Sequence, residues 1–221
     1  MLNRRDALLG AVVALTGSGL AISAMAAGEA IPEPVGSVDV ATLMQTGPLE
    51  DMVMGKAEAP VTIIEYASMG CSHCADFTAH TLPAIKAKYI NTGKAKLIFR
   101  ELPLESRSTA IFMLARCVTK ERYYPFIETL FGHQEQWLQI ADIKSYLLQT
   151  SKLAGLTEEQ FTACLANQDL LNKVNAGRER GLKEFGITGT PTFFINGKKY
   201  VGALSLAQMS AIIENELASP R

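Results

Sequence analysis

The chain has 221 residues, 48% of them hydrophobic and 19% charged, with a formal net charge of −1. That length suits one domain, or one domain carrying an insertion, and supplies ample apolar side chains for a core. Near-balanced charge with scattered basic residues removes the electrostatic case for a nucleic-acid partner.

Arg4-Arg5 precedes an uncharged run from Ala7 to Gly28, and Ala24-Met25-Ala26 offers a small-x-small cleavage site. Residues 1–26 read as a signal peptide cut after Ala26, with a retained membrane anchor as the alternative. Asn3 to Leu9 is loosely similar to a twin-arginine signal, but Ala7 stands where an aromatic is usual, so the Sec and twin-arginine routes both stay open. Four cysteines, an even number, suit an exported protein in an oxidising compartment such as the periplasm. Residues 27–58, with Pro32, Pro34, Gly36, Gly47 and Pro48, read as an N-terminal linker with one short strand near Asp51 to Met54.

Val61 to Tyr66 is β-branched and mostly apolar, the pattern of a buried central strand. A helix is predicted from about Cys71 to Tyr89, kinked at Pro83. Gly93 breaks the chain, and Ala95 to Arg100 reads as a second strand, completing a right-handed βαβ unit. From about Glu105 to Phe185 the pattern is helical. Ile111, Met113, Leu114, Cys117 and Val118 share a face of the first helix, and further helices are predicted at about 124–135, 140–152, 157–166 and 168–185. Thr157 to Gln160 has capping-box spacing, and Gly186 stands at a helix C-cap. Thr190 to Ile195 and Lys198 to Val201 flank Asn196-Gly197, the strongest short hairpin signal. Lys198-Lys199 reads as a solvated turn flank, and the last helix spans about Ser205 to Leu217.

Cys71-Ser72-His73-Cys74 sits between the first strand and its helix. Two sulfurs one helical turn apart can close as a disulfide or open as a dithiol. The first meets the unpaired N–H groups of the helix start, which favour thiolate over thiol. His73 can add a hydrogen bond or positive charge to that thiolate. The same spacing also begins zinc sites. A metal module would use Cys71, Cys74, His73 or His80, and a methionine such as Met69. A closed site needs four converging ligands, and His133 is the chain's one other histidine.

The order βαβ, helical block, ββα narrows the choice. Cys71-Ser72-His73-Cys74 after a buried strand, and Gly189-Thr190-Pro191-Thr192-Phe193 before a hairpin, resemble the two halves of a thioredoxin-fold active site. The helical block between them narrows the resemblance to the DsbA family of exported thiol–disulfide oxidoreductases, over roughly residues 50 to 217. It implies an α/β thioredoxin fold (βαβ–ββα) at residues 59–104 and 186–221, with an all-helical insertion at 105–185. It makes Cys71 the reactive sulfur and Cys74 the buried resolving thiol. It makes Pro191 a cis-proline opposite the sulfurs, with Thr190 pairing to an extended peptide. Glu65 takes the place of an interior acid that moves the resolving thiol's proton, and burial there should raise its pKa.

Cys117 and Cys164 lie on apolar helical faces, and two buried free thiols would suit those positions. In an exported protein a structural disulfide is the favoured reading, and some DsbA-like proteins carry a second bridge. The resemblance implies a monomeric enzyme without metal or cofactor. It would donate its Cys71–Cys74 disulfide to reduced or unfolded exported proteins and be reoxidised by a membrane partner resembling DsbB. An isomerase or reductase of the same superfamily is the nearest alternative, although about 30 residues before the fold are too few for a dimerisation domain. A peroxidase fits less well, since its site typically relies on a lone attacking cysteine.

Overall fold

Alternation along β3 (Val61–Ala67) decides the layering of the molecule, whose computed structural model describes residues 30–219. Val61, Ile63 and Ala67 point to one side of the sheet, and Ile64 and Tyr66 point to the other, into separate apolar clusters. β4 (Ala95–Glu101) runs parallel to β3 with Val61 opposite Ala95. β5 (Thr192–Ile195) pairs antiparallel on the other side, placing Glu65 opposite Phe193. β6 (Lys198–Val201) returns from β5 through Asn196 and Gly197, both at positive φ. With β1 (Gly36–Ser37) and β2 (Met52–Met54) at the edges, the sheet order is β1-β6-β5-β3-β4-β2. The expected fold class, βαβ and ββα around a helical insertion, is the one that forms. The signal-peptide reading for residues 1–26 lies outside the described residues. Among those described, no helix is long and apolar enough to cross a membrane.

Residues 27–58 are more than a linker. Beyond the expected strand near Asp51, they add β1 on the edge of β6 and the short helix α1 (Val40–Met44), capped by the Asp39 carboxylate. Three arginines from later in the chain hold this arm by its carbonyls. Arg100 donates to Leu43 O at 2.7 Å, Arg116 to Glu50 O at 2.6 Å, and Arg180 to Gln45 O at 2.9 Å. Such contacts leave no hydrophobic period in the arm, so composition alone suggests a linker. Gly197 is demanded twice, by its φ of +86° and because a Cβ there would lie 2.5 Å from Val38 O.

The helix after β3 runs without a break through α2 (Ser72–Asp76), a π-helical turn (Phe77–Thr81), α3 (Leu82–Ile85) and a second π-helical turn (Lys86–Ile90). Pro83 therefore sits just after a widened turn. This relieves its ring against the preceding carbonyls, and the interruption expected at Pro83 is seen as a change of helical type on either side of α3. The insertion comprises α4 (Ser106–Cys117), α5 (Lys120–Gly132), α6 (Gln134–Gln139), α7 (Ile143–Leu153), α8 (Glu158–Leu165) and α9 (Gln168–Lys183). Two differences from expectation occur here. α5 begins at Lys120 and carries Pro125 inside it, and a separate helix, α6, follows the break at His133. The Thr157–Gln160 capping box forms at the start of α8, and α10 (Leu206–Ala218) closes the fold. Lys199 is not a bare solvated flank, because its ammonium caps the Phe185 and Gly186 carbonyls beyond α9.

Phe112, Tyr123, Phe131, Trp137 and Phe161 of the insertion share one apolar cluster with Ala67, Met69 and Cys74. The insertion and the active-site turn thus have a common core. Within the insertion, Cys117 and Cys164 are bonded across a sequence separation of 47. Closing a loop of that size restricts the unfolded chain by about 4 kcal/mol. The double variant Cys117→Ala, Cys164→Ala should lose about that much in urea unfolding. A loss below about 1 kcal/mol would mean that packing of α4 on α8 holds the insertion without the bond.

Candidate active site

β3 ends at Ala67, and a short turn delivers Cys71 to the N-cap of α2. Cys71 is half-buried and Cys74, one turn further in, is fully buried; both are reduced thiols here. The loop before β5 supplies the opposite wall. Its Thr190–Pro191 bond is cis, as expected, and Cys71 Sγ donates to Thr190 O at 3.2 Å. Cys71 and Thr190, 119 positions apart in sequence, thereby face each other.

The Cys71 pKa falls from 9.0 to about 5, chiefly because the Cys74 thiol donates to the Cys71 sulfur. Partial burial opposes the shift, while the Thr190 side chain and the backbone N–H groups of Cys74 and His73 assist it. No capping hydrogen bond of ordinary geometry reaches the sulfur from the helix. The N–H dipoles still act, since dipolar stabilisation depends on orientation and extends through the first turn. The largest cause therefore differs from the sequence expectation, which credits the helix start and the His73 ring. The imidazole is exposed, and what His73 contributes to the thiolate is its backbone N–H. Burial pushes the Cys74 thiol far up, with the hydrogen bond to Cys71 and the Glu65 charge in the same direction. The two sulfurs are thus shifted in opposite directions, Cys71 toward thiolate and Cys74 toward thiol, which is the asymmetry that thiol–disulfide exchange needs.

Glu65 lies on the Cys74 side of β3, 1% exposed, and its Oε1 has no hydrogen-bond partner among the described residues. Desolvation raises its pKa from 4.5 to about 8, and the Cys71 charge adds to the effect. At neutral pH it is mostly a buried carboxylic acid.

Two residues outside the sequence-predicted set reach this site. Gln134 of α6, 4% exposed, donates from Nε2 to Met69 O at 2.5 Å and to Cys71 O at 2.9 Å. Ser108 of α4, fully buried, accepts from the Met69 N–H at 2.8 Å. Neither belongs to a motif; the available signal is a polar side chain at an inward-facing helical position.

His73, His80 and His133 line a groove between α2 and the α5–α6 corner. Among the described residues, no three His, Cys, Asp or Glu side chains gather in a way that would hold a metal ion. Met69, offered by sequence as a soft ligand, is fully buried in the apolar core shared with the insertion. The donor set that a metal module would need is not assembled.

Comparison with known proteins gives the same picture. The thioredoxin family profile matches residues 48–215. The crystal structure of Wolbachia pipientis alpha-DsbA1 superposes with a TM-score of 0.73 at 31% identity, covering 79% of this chain and 94% of that one. Oxidised BdbD from Bacillus subtilis shares the fold with a TM-score of 0.70 at 23% identity, covering 76% and 94% of the two chains. A Rickettsia bellii protein named for protein-disulfide oxidoreduction is 28% identical over 168 residues, 76% of this chain and 64% of that protein. This chain spans 54–64% of the length of the Rickettsia relatives it matches.

Proposed function

From the premise that the chain belongs to the thioredoxin family, in its DsbA-like branch, we propose that it is an exported thiol–disulfide oxidoreductase that oxidises folding proteins. The observation that carries this reading is Cys71 at the N-cap of α2, half-buried beside the fully buried Cys74 thiol and facing the cis Thr190–Pro191 wall, with its pKa lowered to about 5. A stabilised thiolate favours the reduced form, so the Cys71–Cys74 disulfide becomes a strong oxidant.

In the proposed reaction a client thiolate attacks Cys71 Sγ of the oxidised protein, the Cys71–Cys74 bond breaks, and Cys74 leaves and takes up a proton. A second client thiolate then attacks the client sulfur of the mixed disulfide and expels Cys71 as its thiolate. The client loses two electrons and two protons; the protein gains both electrons and one proton, on Cys74, and the other proton goes to solvent because Cys71 leaves as its thiolate. Glu65 is the buried group proposed to exchange the Cys74 proton, through water, as that sulfur is released and recaptured. Thr190 offers its backbone to an extended client segment, aligning the attacking sulfur. Cys117–Cys164 has no part in the exchange. The setting is the periplasm, with reduced exported proteins as clients, a membrane partner resembling DsbB as reoxidant, and a monomer as the working unit.

The reduction potential tests the direction of electron flow. Equilibration with glutathione should place the Cys71–Cys74 couple above about −180 mV, among protein oxidants. A value near that of a general reductant, about −270 mV, would overturn the oxidase reading.

A further inference from the structure

The turn that carries the reacting sulfur is held from the insertion. The Met69 N–H donates to Ser108 Oγ on α4, and the Met69 carbonyl accepts from Gln134 Nε2 on α6. Both polar groups of one residue are thus taken by side chains at least 39 positions away in sequence. The same Gln134 amide nitrogen reaches Cys71 O, which also accepts the Ala75 N–H at 3.2 Å as the first bond of the helix. A primary amide has two N–H donors, so one side chain can satisfy both carbonyls. Ser108 Oγ in turn lies 3.1 Å from Ser68 Oγ, at the start of the turn.

Between the tethered residues stands Gly70, whose backbone is intrinsically free and whose missing Cβ leaves room for the Glu105 carboxylate, 2.6 Å from where that atom would lie. Left alone, such a turn would let the peptide planes on either side of Gly70 rotate. Rotation would swing Cys71 Sγ away from the Cys74 thiol and the helix N–H groups together.

We propose that Gln134 and Ser108 are positioning residues for Cys71, by which the helical insertion locks the 69–71 backbone and holds the reacting sulfur over the start of α2. The proposal rests on the oxidoreductase reading only in taking Cys71 as the reacting atom. It gives the insertion a chemical role: its packing sets how strongly oxidising the neighbouring motif is.

The test uses the reduced full-length protein, the pH dependence of Cys71 alkylation by iodoacetamide, and the equilibrium constant with glutathione. Gln134→Met keeps the side-chain length and removes the donors; Ser108→Ala removes the acceptor. Thr157→Ala, which removes the α8 cap, is the control for loosening the insertion away from the turn. Gln134→Met should move the alkylation midpoint up by about one unit, a tenfold loss of thiolate below the midpoint. The glutathione equilibrium should shift about tenfold toward the disulfide, or about 30 mV. Ser108→Ala should shift both in the same direction, and Thr157→Ala should leave both within about twofold. A wild-type midpoint near 5 with variants unmoved would overturn the tether alone, as would a Thr157→Ala shift equal to that of Gln134→Met. A wild-type midpoint near 9 would overturn the oxidoreductase reading and the tether with it. Should Gln134→Met not fold, Ser108→Ala decides by the same criterion.

Discussion

Cys71→Ser should abolish catalysed oxidation of a reduced client in glutathione buffer, whereas reduced Cys74→Ser mixed with a disulfide-bonded client should accumulate as a long-lived mixed disulfide. Without Cys71 the Cys71–Cys74 bond cannot form, and the remaining thiol of the pair, Cys74, is fully buried. Without Cys74 the half-buried Cys71 sulfur still attacks a client disulfide, but no neighbouring thiol is left to release it. The two variants also separate the causes of the low Cys71 pKa. Serine at position 74 keeps a donor toward Cys71, so the alkylation midpoint should stay within about one unit of 5. Alanine at 74 removes the largest stabilising contact, and the midpoint should rise further than in Cys74→Ser. Equal midpoints in the serine and alanine variants would show that the helix dipoles alone hold the thiolate. The sign of the linkage follows. Between pH 9 and about 5 the folded reduced protein binds fewer protons than its unfolded chain at this site, so this contribution to stability is complete above pH 9 and is lost as pH falls through 5.

Glu65→Gln should stabilise the reduced protein at pH 9 by on the order of 4 kcal/mol, and by little at pH 4. The folded-state pKa of Glu65 is raised to about 8 from 4.5, so between those values the folded state keeps a proton that the unfolded chain releases. Stability at this site therefore declines as pH rises through that window, and the penalty is full above pH 8. Glutamine keeps the shape and removes the charge. Urea unfolding at the two pH values checks the prediction. An equal gain at both would assign the effect to packing, and no gain at pH 9 would mean that the carboxyl finds water or a partner in solution. A group that weakens the fold and yet lies beside the resolving thiol is what a site used for proton transfer would retain.

The parts of this protein that could be read from sequence are those whose causes are local. The β-branched run 61–66, the Asn196-Gly197 turn and the Thr157–Gln160 box each carry their reason within a few residues, and each forms. Cys71 and Cys74 announce themselves by spacing. The opposing Thr190–Pro191 was reached by resemblance, because nothing near position 190 points to a sulfur 119 residues earlier. Gln134 and Ser108 are invisible for the same reason: a polar residue in a helix has no periodic signature, and its worth lies in which turn packs against it. The arm from 36 to 54 is gripped by arginines drawn from β4, α4 and α9, so its sequence contains only half of each interaction. His73 shows the opposite failure. Its position between two sulfurs suggests chemistry for the ring, while the structure turns the ring outward and uses the backbone.

The edge pairing of β1 has a consequence for the order of assembly. Gly36 lies opposite Lys199 and Ser37 opposite Lys198, so the earliest of the described strands waits for nearly the last. Arg180, which grips Thr42 and Gln45, also arrives late. During vectorial synthesis the βαβ unit and the insertion can collapse on contacts already present, while the N-terminal arm stays undocked until the final hairpin has emerged. The arm from 36 to 54 is thus the clasp that shuts last.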